Sequence, residues 1–338
     1  MTEKETSYYA IEEEHSSALK LTVQKELVAD MQQAIQTDRQ KYIGGSDAGA
    51  IFGLNPYKSA YTLWCEKTGK ISGYVPDNDA MKTGRDLEAY VAQRFEEATG
   101  KKVRRDNHKY TLTEYPFMVG HIDRRVVGEN AILECKTANS YQTATYEAGR
   151  FPDHYYTQCQ HYMAVTGAVR VYLAVLCFPH FYWTVYERDD AEIAALLAAE
   201  AEFWRMVEND TPPEIDGSES TERAIEAQYA DGGHDGVINL ATSGAINEAL
   251  ATIEDIKGQI KVLQNIQAEN ENRIKEALGE NAIGLADGWK ISWKEQSRTT
   301  VDSKALKAKH PEIYEECKKT STSRVFRLTK TKKETAEE

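Results

Sequence analysis

Asp123, Glu134 and Lys136 are the residues of this 338-residue chain whose types and spacing could do chemistry together. In Ile132-Leu133-Glu134-Cys135-Lys136 the acid and the lysine are separated by one residue. On a strand they therefore share a face, and Cys135 points to the other. The Gly128-Glu129-Asn130 cluster suits a chain reversal after Gly120-His121-Ile122-Asp123, and the resulting hairpin brings Asp123 beside Glu134. Two carboxylates held that close repel each other, and a cation between them relieves the repulsion. Mg²⁺ prefers such oxygen ligands, and a neighbouring lysine can orient or deprotonate a metal-bound water. That is the chemistry of metal-assisted phosphodiester hydrolysis. The same residues also suit a salt-bridged, solvent-facing ribbon. Against the ribbon stand Ala131, Ile132 and Leu133, an apolar run that buries the strand carrying the charges.

The elements that must position this hairpin read as follows. Residues 1–20 are polar and Glu-rich and suit a tail, and Leu21 to about Asp38 has a helical apolar face, so 1–38 forms an N-terminal tail and helix. Gly44-Gly45 permits a tight turn, and Ser46 or Asp47 can cap the small-residue helix that follows. The free N–H groups at such a helix start attract anions, with Arg39 near in sequence; a purely structural cap fits equally. Helices are predicted over Ser59–Gly69 and over Arg85–Thr99, with residues 72–80 a polar loop. Glu88 falls in the first turn of the second helix, where a carboxylate that complements the helix dipole is the plain reading. Strands follow at Lys102–Thr111, Pro116–Ile122, Ala168–Cys177 and Phe181–Tyr186. Helices are expected at Ser140–Gly149, Asp153–Thr166 and Asp189–Glu208. Mixed strands flanked by helices imply an α/β layer architecture over residues 39–210.

Residues 211–240 are acidic and rich in Gly, Ser and Asp and read as a linker. From 241 to 338 an α+β module is expected, built on a long helix or helical hairpin over Ala245–Leu278 whose polar remainder and Asn270 suit a partner helix. Trp289–Glu295 and Ser323–Thr329 alternate like strands around two short helices near Pro311. Residues 289–333 hold 13 basic and 5 acidic side chains, which suits either a phosphate-contacting face or a solvated surface.

The net charge of −13 is unevenly spread: residues 39–140 carry 16 basic and 13 acidic side chains, residues 141–240 only 5 and 17. Acidity is thus concentrated away from the candidate site, and a local basic field there remains compatible with a nucleic acid. Five cysteines without a C-x-x-C pair speak against zinc and disulfide frameworks. No apolar run approaches a membrane span and no signal-peptide pattern opens the chain, so a cytoplasmic protein is expected.

Taken together, I-G-G-S-D-A-G-A-I-F-G-L-N-P-Y (43–57), G-R-D-L-E (84–88), G-H-I-D (120–123), L-E-C-K-T (133–137) and Q-C-Q-H-Y-M (158–163) resemble the YqaJ-like phage recombinases. These are similar to the lambda-type exonucleases of the PD-(D/E)xK nuclease superfamily. Each motif is weak alone; five in this order, within residues 39–208, are specific. The resemblance implies a restriction-endonuclease-like core with a mixed central sheet flanked by helices. It implies Asp123, Glu134 and Glu88 as metal ligands, with the Leu133 carbonyl as a further one. Lys136 would position or activate the attacking water, and Gln158 would orient Lys136 or the water. Arg39 and Ser46 would hold the 5′-terminal phosphate. His121 could approach the metal, although a core or second-layer histidine is the plainer reading.

The activity so implied is a Mg²⁺-dependent 5′→3′ exonuclease on linear double-stranded DNA ends, with Mn²⁺ able to substitute. Its products would be 5′-phosphomonoesters and a 3′ single strand, handed to a single-strand annealing protein. A homotrimeric ring and a phage- or prophage-encoded protein in a bacterial cytoplasm follow from the same likeness, and the single, scattered cysteines speak against the iron–sulfur cluster of other nucleases in that superfamily. ATP is not expected, since no G-x-x-x-x-G-K-[ST] loop is present. Two alternatives stay open: a structure- or nick-directed endonuclease of the same fold, and a DNA-end or partner-binding module with a vestigial nuclease site.

Overall fold

Strand Ala131–Ala138 is buried on both faces over its first half, which is what its unbroken apolar start Ala131-Ile132-Leu133 requires. The computed structural model describes residues 38–73, 78–233, 236–320 and 324–330, and the chain divides into two compact units between Asp231 and Gly232. Residues 1–37, with the helix expected from Leu21, lie outside the described residues.

In the first unit the order is β1 (Ile43–Gly44), α1 (Gly45–Ile51), α2 (Ala60–Lys67), α3 (Asp79–Thr99), β2 (Val103–Arg105), β3 (Lys109–Thr111), β4 (Met118–His121), β5 (Arg124–Val126) and β6 (Ala131–Ala138). A 3₁₀ turn at Ser140–Gln142 leads to α4 (Thr143–Glu147), α5 (Asp153–Thr166), β7 (Arg170–Cys177), β8 (His180–Glu187), α6 (Asp190–Glu208) and α7 (Glu219–Gln228). The larger sheet runs β2-β5-β6-β7-β8, with β6 and β7 parallel and the other pairs antiparallel. A parallel pair needs a crossover, and α5 supplies it. A smaller sheet runs β1-β4-β3, with β1 parallel to β4.

On one face of the large sheet α3 packs Val91, Ala92 and Phe95 onto Val126, Ala131, Leu133 and Ala174. On the other, Cys159, Tyr162 and Met163 of α5 meet Ile122, Ile132 and Val171. Fully buried side chains such as Phe95, Ile132 and Leu133 each contribute roughly 1.5–3 kcal/mol. The result is a mixed α/β fold with helices on both sides of the sheet, as expected.

Three elements differ from the sequence reading. α3 starts at Asp79, not Arg85, because Asn78 caps it by accepting from the Met81 N–H at 2.9 Å. Glu88 therefore lies mid-helix, where the dipole argument does not reach. Lys102–Thr111 is two strands in different sheets, β2 and β3, separated where Asp106 accepts from the His108 N–H at 3.0 Å. The segment expected as a linker over 211–240 contains α7, capped by Ser218 and held to α2: Thr62 Oγ1 donates to the Ser220 carbonyl at 2.9 Å, and Ala224 is buried.

The second unit has one continuous helix, α8 (Gly244–Leu278), followed by an antiparallel hairpin of β9 (Ile283–Ala286) and β10 (Trp289–Ser292), then α9 (Ser303–Lys309) and α10 (Pro311–Cys317). Of long helix or hairpin, it is the long helix. The strand expected over Ser323–Thr329 is not formed at residues 324–329; Ser323 lies outside the described residues. Its alternation finds no neighbouring strand to pair with among the described residues.

Candidate nuclease site

The chain leaves the small sheet after His121 and enters the large one at Arg124, so Asp123 sits at the junction. The β5–β6 register pairs Arg124 with Leu133, which sets Asp123 opposite Glu134. Asp123 Oδ2 accepts the Cys135 N–H at 2.8 Å, fixing the carboxylate against β6. Glu134 is buried, and its Oε1 accepts from Lys136 Nζ at 2.7 Å and from Gln158 Nε2 at 2.9 Å. Gln158 Nε2 also donates to the Tyr162 hydroxyl at 2.8 Å, which aligns the amide toward Glu134. Glu134 Oε2 is equally buried and has no hydrogen-bond partner among the described residues. A buried, unpartnered carboxylate oxygen costs on the order of 1–3 kcal/mol or more, unless a ligand takes it.

The electrostatics agree. Burial, and then the Glu134 charge, push the Asp123 carboxyl up to about 7. Burial works against the Lys136 ammonium, but the Glu134 charge and hydrogen bond, with Asp123, outweigh it and hold the amine above its ordinary value. Lys136 also lies 5.2 Å over the Tyr155 ring. The lysine is therefore held as a cation that donates to Glu134. The donor set, two converging carboxylates with one orphaned oxygen, suits a hard divalent cation. Among the described residues no group of three or more His, Cys, Asp and Glu side chains converges on a metal position.

Glu88 explains part of that. Its Oε1 pairs with Arg124 Nη2 at 3.0 Å, so the structure gives this carboxylate to an arginine and does not bring it into a cluster with Asp123 and Glu134. Leu133 is fully buried in β6 next to Glu134. His121 is neither core nor beside the carboxylates: it is exposed at the end of β4, its ring 6.4 Å from that of Tyr42. The period-two argument that put it on the face of Asp123 fails because the strand ends between them.

Arg39 and Ser46 come together, with Nη2 donating to Oγ at 3.5 Å. They line a pocket of about 220 Å³ with Asn55, with Lys58 paired to Glu66 and with Lys67 paired to Asp47. α1 begins one residue before Ser46, and of the two expected caps it is Asp47 that acts: its Oδ2 reaches back to accept the Gly44 N–H at 3.1 Å. Burial opposes the Asp47 charge, yet Lys67, 2.7 Å away, holds the carboxyl below its ordinary value. Lys67 also donates to the Arg39 and Tyr42 carbonyls, at 2.9 and 2.6 Å, and so fixes the segment that carries the pocket.

Sequence reasoning missed Lys67 and a second buried pair, His161 with Glu200. His161 Nδ1 lies 2.8 Å from Glu200 Oε1, and Nε2 donates to the Val119 carbonyl at 3.1 Å, both side chains being fully buried. The pair ties α5 and α6 to β4, the strand that leads into Asp123. A signal existed: Glu200 occupies a core position in the row Ile193, Leu196, Glu200, Phe203 at helical spacing.

A model of the YqaJ-like viral recombinase domain matches residues 36–169. The "Uncharacterized protein YqaJ" of Bacillus subtilis (strain 168) is 38% identical over 293 residues, 86% of this chain and 91% of that one. The chain belongs to the YqaJ family. Among solved structures, an alkaline exonuclease from Laribacter hongkongensis is 21% identical over 52% of this chain and 92% of its own, with a TM-score of 0.44. A phage-related exonuclease from Haemophilus somnus 129PT is 14% identical over 50% of this chain and 96% of its own, with a TM-score of 0.35. Likenesses that loose assign no activity. No helix of the described residues in this YqaJ-family chain is long and apolar enough to cross a membrane.

Proposed function

We propose that this YqaJ-family protein is a Mg²⁺-dependent exonuclease that digests linear double-stranded DNA 5′→3′ and leaves a 3′ single strand for an annealing protein. The observation that carries the reading is Glu134: a buried carboxylate opposite Asp123, with one oxygen bound by Lys136 and Gln158 and the other unpartnered among the described residues. Asp123 and Glu134 would hold the cation, with the Leu133 carbonyl as a third ligand. When bound, Mg²⁺ supplies Lewis acidity to the scissile phosphate and lowers the pKa of water. Lys136, held as an ammonium, donates to the attacking water and stabilises the charge that develops on the phosphoryl oxygens. Gln158 keeps Glu134 aimed, and the Tyr155 ring supports the Lys136 amine. Arg39 and Ser46 take the 5′-terminal phosphate by charge-assisted hydrogen bonds, which gives digestion its direction. Glu88 would join the metal shell only with its ion pair to Arg124 opened. A homotrimeric ring provides processivity without ATP, and the unit from Gly232 onward docks the annealing partner or a neighbouring subunit.

A second reading, a DNA-end or partner-binding module with a vestigial site, is favoured by the Glu88–Arg124 ion pair. Linear and closed circular duplexes incubated with Mg²⁺ and then with chelator separate the readings. The exonuclease releases acid-soluble nucleotides from the linear form alone and stops in chelator. Loss of the closed circle marks an endonuclease, and no release from either form marks a binder.

A further inference from the structure

The segment Asn55-Pro56-Tyr57-Lys58 bridges the two halves of the site. Asn55 and Lys58 line the pocket that holds Arg39 and Ser46. Asn55 Oδ1 accepts the Tyr57 N–H at 2.8 Å, an Asx turn that fixes the backbone at Tyr57. Tyr57 is 70% exposed, so its ring contributes little to the core. It meets the His154 ring edge-on, with centroids 6.4 Å apart and planes at 85°. His154 in turn lies 4.3 Å from the Tyr155 ring, over which Lys136 Nζ sits at 5.2 Å. A row of three rings, Tyr57, His154 and Tyr155, thus runs from the segment beside the Arg39–Ser46 pocket to the Lys136 amine, open to water at Tyr57.

His154 is held firmly. A Cβ added at Gly49 would fall 2.7 Å from the His154 Cβ, so α1 and α5 touch backbone to side chain at this point. An exposed aromatic fixed between a phosphate site and a hydrolytic site matches what an unstacked nucleotide presents: a charged phosphate at one end, a flat apolar base next to it, and the scissile bond beyond. Base–aromatic stacking is sequence-tolerant because every base has a π-face, as digestion of arbitrary ends demands.

We propose that Tyr57 is the platform on which the 5′-terminal base stacks, seating the nucleotide whose phosphate occupies the Arg39–Ser46 pocket; this rests on the nuclease reading above. The test compares 5′-phosphorylated duplexes whose terminal nucleotide is natural or abasic. KM and kcat are measured for the wild type, Tyr57→Ala and Tyr57→Phe, and end binding by anisotropy on the Lys136→Ala background. Tyr57→Ala raises KM about 5- to 150-fold, with kcat changed far less. Tyr57→Phe restores most of that loss. The abasic end costs the wild type a similar factor and costs Tyr57→Ala nothing further. A purely structural Tyr57 would weaken natural and abasic ends equally, and that result overturns the proposal. Natural and abasic ends that bind the wild type alike also overturn it, while metal-dependent digestion in the same tubes leaves the nuclease reading standing. Absence of digestion and of end binding by any form overturns both.

Discussion

Replacing Asp123 by Asn removes a carboxylate that the fold holds against its own charge. The folded-state pKa is raised from 3.8 to about 7, first by burial and then by Glu134. The native state therefore binds this proton more tightly than the unfolded chain. Stability from the group is complete below about pH 3.8 and is lost as pH rises through about 7. A shift of that size corresponds to about 4 kcal/mol at most, since one pKa unit is about 1.36 kcal/mol. Part of it is shared with Glu134, so the expected gain for Asp123→Asn is about 1–4 kcal/mol at pH 8 without metal. Asn keeps an oxygen to accept the Cys135 N–H and carries no charge to repel Glu134. The assay is urea unfolding in chelator, followed by hydrogen exchange of the β6 and β7 amides so that only the first unit is read. The gain should shrink steadily toward pH 4. Adding Mg²⁺ at pH 8 should stabilise the wild type and leave the variant unchanged, because ligand binding stabilises only the state that binds. A variant less stable than the wild type at pH 8, or a difference independent of pH, refutes the reasoning.

The other predictions concern the parts around that centre. Arg39→Ala should lose about 10- to 100-fold of the preference for 5′-phosphorylated over 5′-hydroxyl ends, the worth of a hydrogen bond to a charged group, read as a ratio of kcat/KM values. Glu200→Leu leaves the buried His161 Nδ1 without its partner and should cost roughly 3–5 kcal/mol in urea unfolding, whereas His161→Phe with Glu200→Leu should recover most of it. A chain ending at Asp231 should fold and retain metal-dependent hydrolysis, measured as nucleotide release per mole, since the two units separate there; loss of a soluble, active product would contradict this.

The hairpin was legible because strand geometry is strict. A period of two puts Glu134 and Lys136 on one face, and a short turn returns Asp123 to them. Gln158 was legible only by likeness, as nothing in its helix distinguishes it from Gln160, which donates to the Tyr156 hydroxyl instead. Glu88 reads as a first-turn residue because residues 79–86 have few apolar positions and include Gly84, which hides the Asn78 cap. His161 and Lys67 went unread for a common reason. Their partners, Glu200 and Asp47, lie 39 and 20 residues away, and no local pattern reports a pairing made by tertiary packing. The helix within 211–240 was hidden by an acidic, polar sequence whose small buried contacts, Ser220, Thr221 and Ala224, carry little hydrophobic signal.

The most direct measurement uses end-labelled linear duplex, with and without a 5′ phosphate, given to the wild type and to Lys136→Ala in Mg²⁺ and then in chelator. The wild type should release nucleotides in Mg²⁺, faster from phosphorylated ends, and stop when the metal is removed. Lys136→Ala should bind the same ends and release nothing. Digestion retained by Lys136→Ala, or release by the wild type that continues in chelator, would contradict the assignment of this site.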